Sequence, residues 1–221
     1  MKQTSYKNLI NNEIFKVNEL GQFSLMRAKN AEKTQAIIAE FTRIYEQNKD
    51  SFRVDNIEAA LSLYVNKRDA LEDTALILAR DAAQSKVLLD FGASVNDANR
   101  FGDTALIKAH SAEQSAVLLA AGADVNHQNQ YGETALMHAK SVEQVKVLLQ
   151  HHANVRLLTN SGKMAGDLFK EALNWTKDQD KRAMLKQMIA LLQNAQKMQS
   201  IASQRVELPN HGLRQGNGRS G

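Results

Sequence analysis

The chain of 221 residues contains no cysteine. That excludes a disulfide framework, a thiol nucleophile and any thiolate site for zinc or an iron–sulfur cluster. No run of eighteen apolar residues occurs, and Met1 to Leu20 mixes Lys, Asn and Glu with its apolar residues. Neither a membrane span nor a secretory signal is expected, and the cytoplasm is the default compartment. Nucleophile elbow, phosphate loop and HExxH pattern are all missing, so no catalysis and no cofactor is expected. The six histidines offer no chelate: only His151 and His152 adjoin in sequence, and neighbours on a helix end point apart. No metal is expected.

What the chain does have is 43% hydrophobic residues, enough for a real core. Its net charge of +4 is unevenly placed. Residues 72–161 carry 7 Lys and Arg against 10 Asp and Glu, whereas residues 162–221 carry 10 against 5. A basic end beside a mildly acidic middle does not make the contiguous basic face that nucleic-acid binding usually needs.

The sequence also repeats. Gly102-Asp-Thr-Ala-Leu106 and Gly132-Glu-Thr-Ala-Leu136 lie thirty residues apart, and each is followed in register by Ala, Ser, Glu-Gln and Val-Leu-Leu. Asp73-Thr-Ala-Leu76, Gln84 and Val87-Leu-Leu89 fall in the same register one period earlier, giving copies at 72–101, 102–131 and 132–161. Weaker copies begin at Gly21 and Gly162. Ser111-Ala-Glu-Gln114 and Ser141-Val-Glu-Gln144 read as capping boxes, with Asp81-Ala-Ala-Gln84 a variant. The second helix of each unit should therefore begin almost where the first stops. Leu106, Ala109, Val117, Leu118 and Leu119 and their counterparts read as shared core. Gly92 and Gly122 suit the left-handed residue that ends a helix. His152 takes that glycine's place in the next copy, so a distorted terminus is expected there.

These residues resemble ankyrin repeats. Thr-Ala-Leu stands where that family has Thr-Pro-Leu-His, followed by Val-Leu-Leu and then Gly122-Ala-Asp-Val-Asn126. The likeness spans roughly residues 21–175. The period is thirty rather than about thirty-three, and the usual glycine link between helices is missing. The fold implied is an all-α solenoid of helix-turn-helix units with atypical capping helices at both ends.

Residues 1–71 would form an N-terminal cap and a divergent first unit with an insertion of about twenty residues. Phe41, Ile44 and Tyr45 should continue one helix of that insertion, and Ile57, Leu61 and Tyr64 suggest another. Residues 72–161 would form the three clear units. Residues 162–205 would hold a divergent last unit and a long helix, with Met184, Met188, Leu191, Ala195, Met198 and Ala202 as its heptad seam. The second half of that helix should overshoot the stack. Residues 206–221, with Pro209 and four glycines, read as a disordered tail.

The resemblance implies a protein-binding module that recognises one partner on a concave face of finger tips and first helices. The matching residues are Arg100, Phe101, Asp103 and Lys108 in one unit, Gln130, Tyr131, Glu133 and His138 in the next, and then Asn160 and Lys163. Phe101 and Tyr131 are the expected anchors, because aromatic side chains bury much area at low entropic cost. By the same analogy, small bacterial proteins of this kind act as adaptors or inhibitors, such as toxin-neutralising immunity proteins, or as effectors delivered into a host cell. A second reading makes the stack a scaffold. The long C-terminal helix would then dimerise or contact nucleic acid. Lys181, Arg182, Lys186, Lys197, Arg205, Arg214 and Arg219 could attract nucleic acid or an anionic membrane, although without interleaved aromatics they read as a solvated face.

Overall fold

The computed structural model describes residues 18–19, 22–47 and 56–206, with side chains as far as residue 202. Within them lie eight helices and no strand beyond one isolated bridge between Ala98 and Thr104. They are α1 (Ala31–Gln47), α2 (Ile57–Val65), α3 (Ala82–Asp90), α4 (Ala105–Lys108), α5 (Ala112–Ala120), α6 (Val142–Gln150), α7 (Ala165–Trp175) and α8 (Gln179–Val206). The chain is all-α, as expected. The tail expected at 206–221 lies, apart from Val206, outside the described residues.

The pattern of two helices per unit does not hold. In place of a first helix the chain makes one turn, at residues 24–27, 75–78 and 135–138, with the four-residue α4 as its best-formed example. The reason lies in the next cap. Ser111 must be extended (φ −146°, ψ 167°) for its hydroxyl to accept from the Gln114 amide at 3.2 Å. Ala109 has already left helical geometry at ψ 139° to bring it there. Asp81 and Ser141 cap α3 and α6 in the same way, accepting from Gln84 and Gln144 at 2.7 and 3.1 Å. Each cap satisfies an amide that the first helical turn leaves without a partner. In the last unit Glu171 and Asn174 stand one period after Ser141 and Gln144. No cap interrupts that unit, and α7 runs eleven residues from its first turn.

The second helices of successive units pack side by side, α1 on α3, α3 on α5 and α5 on α6, while α8 closes the row against α6 and α7. Leucine columns fill the space between them. Leu76, Leu106 and Leu136 hold the turns, Leu88, Leu118 and Leu148 hold the helices, and all six are at most 1% exposed. Val117 is only half-buried, so the middle leucine of each Val-Leu-Leu carries the packing. Ala79, Ala109 and Ala139 are buried where the chain passes from turn to helix. On α1, which runs on to Gln47, Phe41 stacks with Tyr64 of α2 at a ring separation of 4.4 Å.

The glutamines of the three caps do more than close a capping box. Gln84, Gln114 and Gln144 are at most 2% exposed. The side-chain oxygen of Gln114 accepts from the His110 amide, one residue before the cap, at 2.8 Å. Its Nε2 reaches the preceding unit and donates to the Ala79 carbonyl and the Ser85 hydroxyl, both at 3.0 Å. Gln84 makes the same contacts with Arg80, Ala28 and Thr34. Gln144 makes them with Lys140, Ala109 and Ser115. The hydroxyl that receives a glutamine is therefore present in the first three units, as Thr34, Ser85 and Ser115. In the fourth, Val145 replaces it, and it is fully buried. No glutamine arrives there, because the next partner is α8.

Two expectations need correction. His152 does not distort the end of α6. It adopts φ +65° where Gly92 and Gly122 have +85° and +88°, and it keeps the same closing bonds, His152 to the Leu149 carbonyl and Ala153 to the Leu148 carbonyl, each at 3.0 Å. The helix geometry overrides a side chain that disfavours this region. Nor does α8 leave the stack at mid-length. Gln199 donates to the Ala153 carbonyl at 2.9 Å, and Arg156 hydrogen-bonds Ser200. The seam it buries is Leu185, Met188 and Leu192, whereas Met198 is 70% exposed. The expected seam shares Met188 with this one but lies one residue aside, on the flank of the helix.

Two stability measurements follow from the frame. Gln114→Leu leaves the His110 amide and the Ala79 carbonyl unpaired in the interior and should lower the unfolding free energy by about 3 kcal/mol. His152→Gly removes a left-handed side-chain penalty and should raise it by about 1 kcal/mol. Urea titrations followed by circular dichroism test both, and the two signs should be opposite.

Candidate functional site

The loop before each turn is tied by one side chain. The Asn99 Oδ1 accepts from the amides of Phe101 and Asp103, both at 3.0 Å, and its Nδ2 donates to Asp73 at 2.7 Å. Asn129 repeats this with Tyr131, Glu133 and Asp103. Asp69 holds Leu71 and Asp73 in the first finger. The fingers are then laced together by the backbone: Arg100 donates to the Leu71 carbonyl, Gln130 to that of Phe101 and Asn160 to that of Tyr131, at 3.1, 3.0 and 2.8 Å. Gly102 must stay glycine here. Its φ is +78°, and a Cβ would meet the Gln130 amide nitrogen at 2.9 Å.

This lacing sorts the expected binding residues into two groups. Gln130 donates its side chain to the Arg100 carbonyl at 2.6 Å, and Asn160 donates to the Gln130 carbonyl at 2.8 Å. Asp103 accepts from Asn129 and keeps 14% of its side chain exposed, with Lys108 at 3.8 Å. Glu133 pairs with His138 at 2.8 Å, and Lys163 with Glu171. These groups are engaged by the frame. Phe101 and Tyr131, by contrast, are 37% and 55% exposed, and Leu71 one finger earlier is 37% exposed. The three stand in one column of adjacent fingers, with Arg100 exposed beside them.

A second column escaped the sequence reading. Arg80, His110 and Lys140 follow the buried alanines of successive units, and all three are exposed. Their backbone amides are the ones that bond the cap glutamines. Lys29 follows Ala28 in the same place, because the Ala28 carbonyl takes the next glutamine. The Lys140 Nζ lies 2.9 Å from the His110 Nδ1. Burial first, and then the charges of Lys140, Lys108 and Arg80, push the His110 imidazole below its ordinary pKa. A neutral ring can accept from the lysine. The signal was available at the thirty-residue period, as one position that is cationic or histidine in every copy. Residue order alone hides it, because the residue type changes from Arg to His to Lys along the column.

At the repeat position after each finger stands a carboxylate, Asp73, Asp103 or Glu133. Asp73 is buried, and that burial raises its pKa, with the Asn99 hydrogen bond opposing the rise. Among the described residues no three His, Asp or Glu side chains converge as metal ligands would, and no helix is long and apolar enough to cross a membrane.

A scan of protein-family models finds no match to this chain, and a search of curated proteins finds none either.

The two groups should separate in stability. Asp103→Ala removes an acceptor from Asn129 and should cost about 1 kcal/mol. Tyr131→Ala, at an exposed tip, should stay within about 0.5 kcal/mol of the parent. Equal losses in thermal and urea unfolding would mean that Tyr131 belongs to the frame.

Proposed function

We propose that the chain is a non-catalytic protein-binding module, an ankyrin-type stack that holds one protein partner along its fingers and first turns. The observation that supports this most is the column Leu71, Phe101 and Tyr131, apolar and exposed beside finger residues Asp103, Gln130, Glu133 and Asn160 that are bonded within the frame. Exposed apolar side chains in a row are an interaction surface in waiting. Aromatic members of such a row are the residues most enriched among energetic anchors. Arg100, Lys108 and His138 border the column and would orient the partner, while Gln130, Asn160 and Asp103 set its geometry from behind. A module of this kind works as an adaptor or as an inhibitor, and neutralising a toxin in a bacterial cytoplasm is one form such inhibition takes.

A second reading rests on α8, where Met198 and Ile201 are 70% and 49% exposed beyond the buried seam. Here the stack is the scaffold, and the helix end engages a second copy or another chain.

Both readings are tested by affinity capture from native lysate with three proteins: the parent, Phe101→Ala/Tyr131→Ala, and a truncation after Gln193. Each captured protein is identified and rebound in purified form. The module reading expects a partner lost with the double variant while circular dichroism stays unchanged. A partner kept by the double variant and lost on truncation would overturn it in favour of α8.

A further inference from the structure

The basic column has no counterpart in the frame. Lys108 and His138 have carboxylates in reach, Asp103 and Glu133, but among the described residues Lys29, Arg80 and Lys140 have no ion-pair partner. The fold nevertheless sets these cations in one row, Lys29 and Arg80 one unit apart and Arg80 and Lys140 two units apart with His110 between them. Each cap glutamine bonds the residue before one cation and the amide of the next, so the column keeps the repeat of the stack. The contact of Lys140 with His110 puts neighbouring side chains of the column within 2.9 Å. Like charge gathered on one face opposes folding through self-repulsion. A partner of opposite charge removes that repulsion on binding.

Spacing narrows the choice of partner. Packed helices lie about 8–10 Å apart, so one cation or histidine recurs at roughly that interval. An extended polypeptide rises about 3.3 Å per residue, so three residues match one unit. Each strand of a nucleic-acid duplex carries a charge per ~3.4 Å of helix axis. Most of its phosphates would fall between the cations, where no countercharge of the column meets them. A peptide can leave those positions neutral.

We propose that the column Lys29, Arg80, His110 and Lys140 binds an extended acidic protein segment with carboxylates at about every third residue. The segment lies beside the apolar finger tips, so its neighbouring chain can reach Phe101 and Tyr131. The inference rests on the protein-binding reading and names the chemistry of the partner's contact segment. Arg80 and Lys140 are its main charges, and Lys108 is a flanking one.

The test uses the full chain and fluorescence anisotropy with three labelled probes of equal charge. One peptide of about twelve residues, long enough for four units at this rise, carries Asp at every third position between Gly and Ser. A second has the same composition with its aspartates in one block, and the third is a single-stranded oligothymidylate. The variant is Arg80→Gln/Lys140→Gln. Its charge-matched control is Lys86→Gln/Lys146→Gln, which removes two lysines from the outer sides of α3 and α6, where they pair locally with Asp90 and Glu143.

The spaced peptide should bind best. The column variant should weaken it roughly tenfold, the effect of losing two exposed ion pairs, and the control should leave it nearly unchanged. If the column variant loses its helical circular dichroism, Lys108→Gln replaces it, with a smaller loss expected. No binding of the spaced peptide, equal losses in variant and control, or preference for the blocked peptide or the oligonucleotide would each overturn the proposal. Failure here is distinguishable from failure of the module reading, because a captured partner that depends on Phe101 and Tyr131 would still be found.

Discussion

The architecture depends on a buried primary amide. A glutamine side chain removed from water costs several kcal/mol unless its oxygen and both hydrogens find partners. Gln84, Gln114 and Gln144 find all of theirs: an amide in their own unit, and a carbonyl and a hydroxyl in the one before. A single residue thus fixes where a helix starts and how far it stands from its neighbour. Leucine columns supply most of the apolar burial, but they would tolerate sliding. The directional bonds of the amide do not, and this is how buried polar groups add definition to a packed core.

The same logic explains the ends of the row. At the position of the cap glutamine the first unit has Lys33, whose amide is satisfied by Asn30 and whose side chain is exposed. The fourth unit has Val145 in place of a receiving hydroxyl, and α8 covers it with carbon. A second ladder, through Asn99 and Asn129, does for the fingers what the glutamines do for the helices. Because these two ladders occupy the polar side chains nearest the core, the groups left outward are the apolar tips and the cations. The surface offered to a partner is in this sense what remains after the frame has been satisfied.

Much of this could be read from residue order. The period, the leucine and alanine columns, the Ser and Asp caps and the left-handed glycines are local signals, complete within a few residues. Phe101 and Tyr131 were legible as tips because they vary where the frame repeats. Asp103, Gln130 and Asn160 looked like equal candidates for the site. Nothing in their spacing says that Asn129 occupies the first, or that the other two bond a neighbouring finger. The cationic column was written in the sequence at one position per unit, but its meaning needed the units side by side.

The sequence by itself determined where the capped helices begin, which leucines and alanines of the repeat are buried and how often the pattern recurs, because capping and apolar periodicity act between residues three to eight apart. Only the tertiary structure decided that the first helix shrinks to a turn, that His152 accepts a glycine's geometry, that α8 buries Leu185 and Leu192 rather than Met184 and Leu191, and that the cap glutamines reach across units. The glutamine bonds span roughly thirty or more residues and the buried face of α8 is set by its packing on α6 and α7, whereas the turn is cut short by the cap that follows it and His152 is held by the closing bonds of its own helix. Local propensity is a weak force of tenths of a kcal/mol per residue, and it yields wherever a buried amide or an apolar face must be satisfied from such a distance.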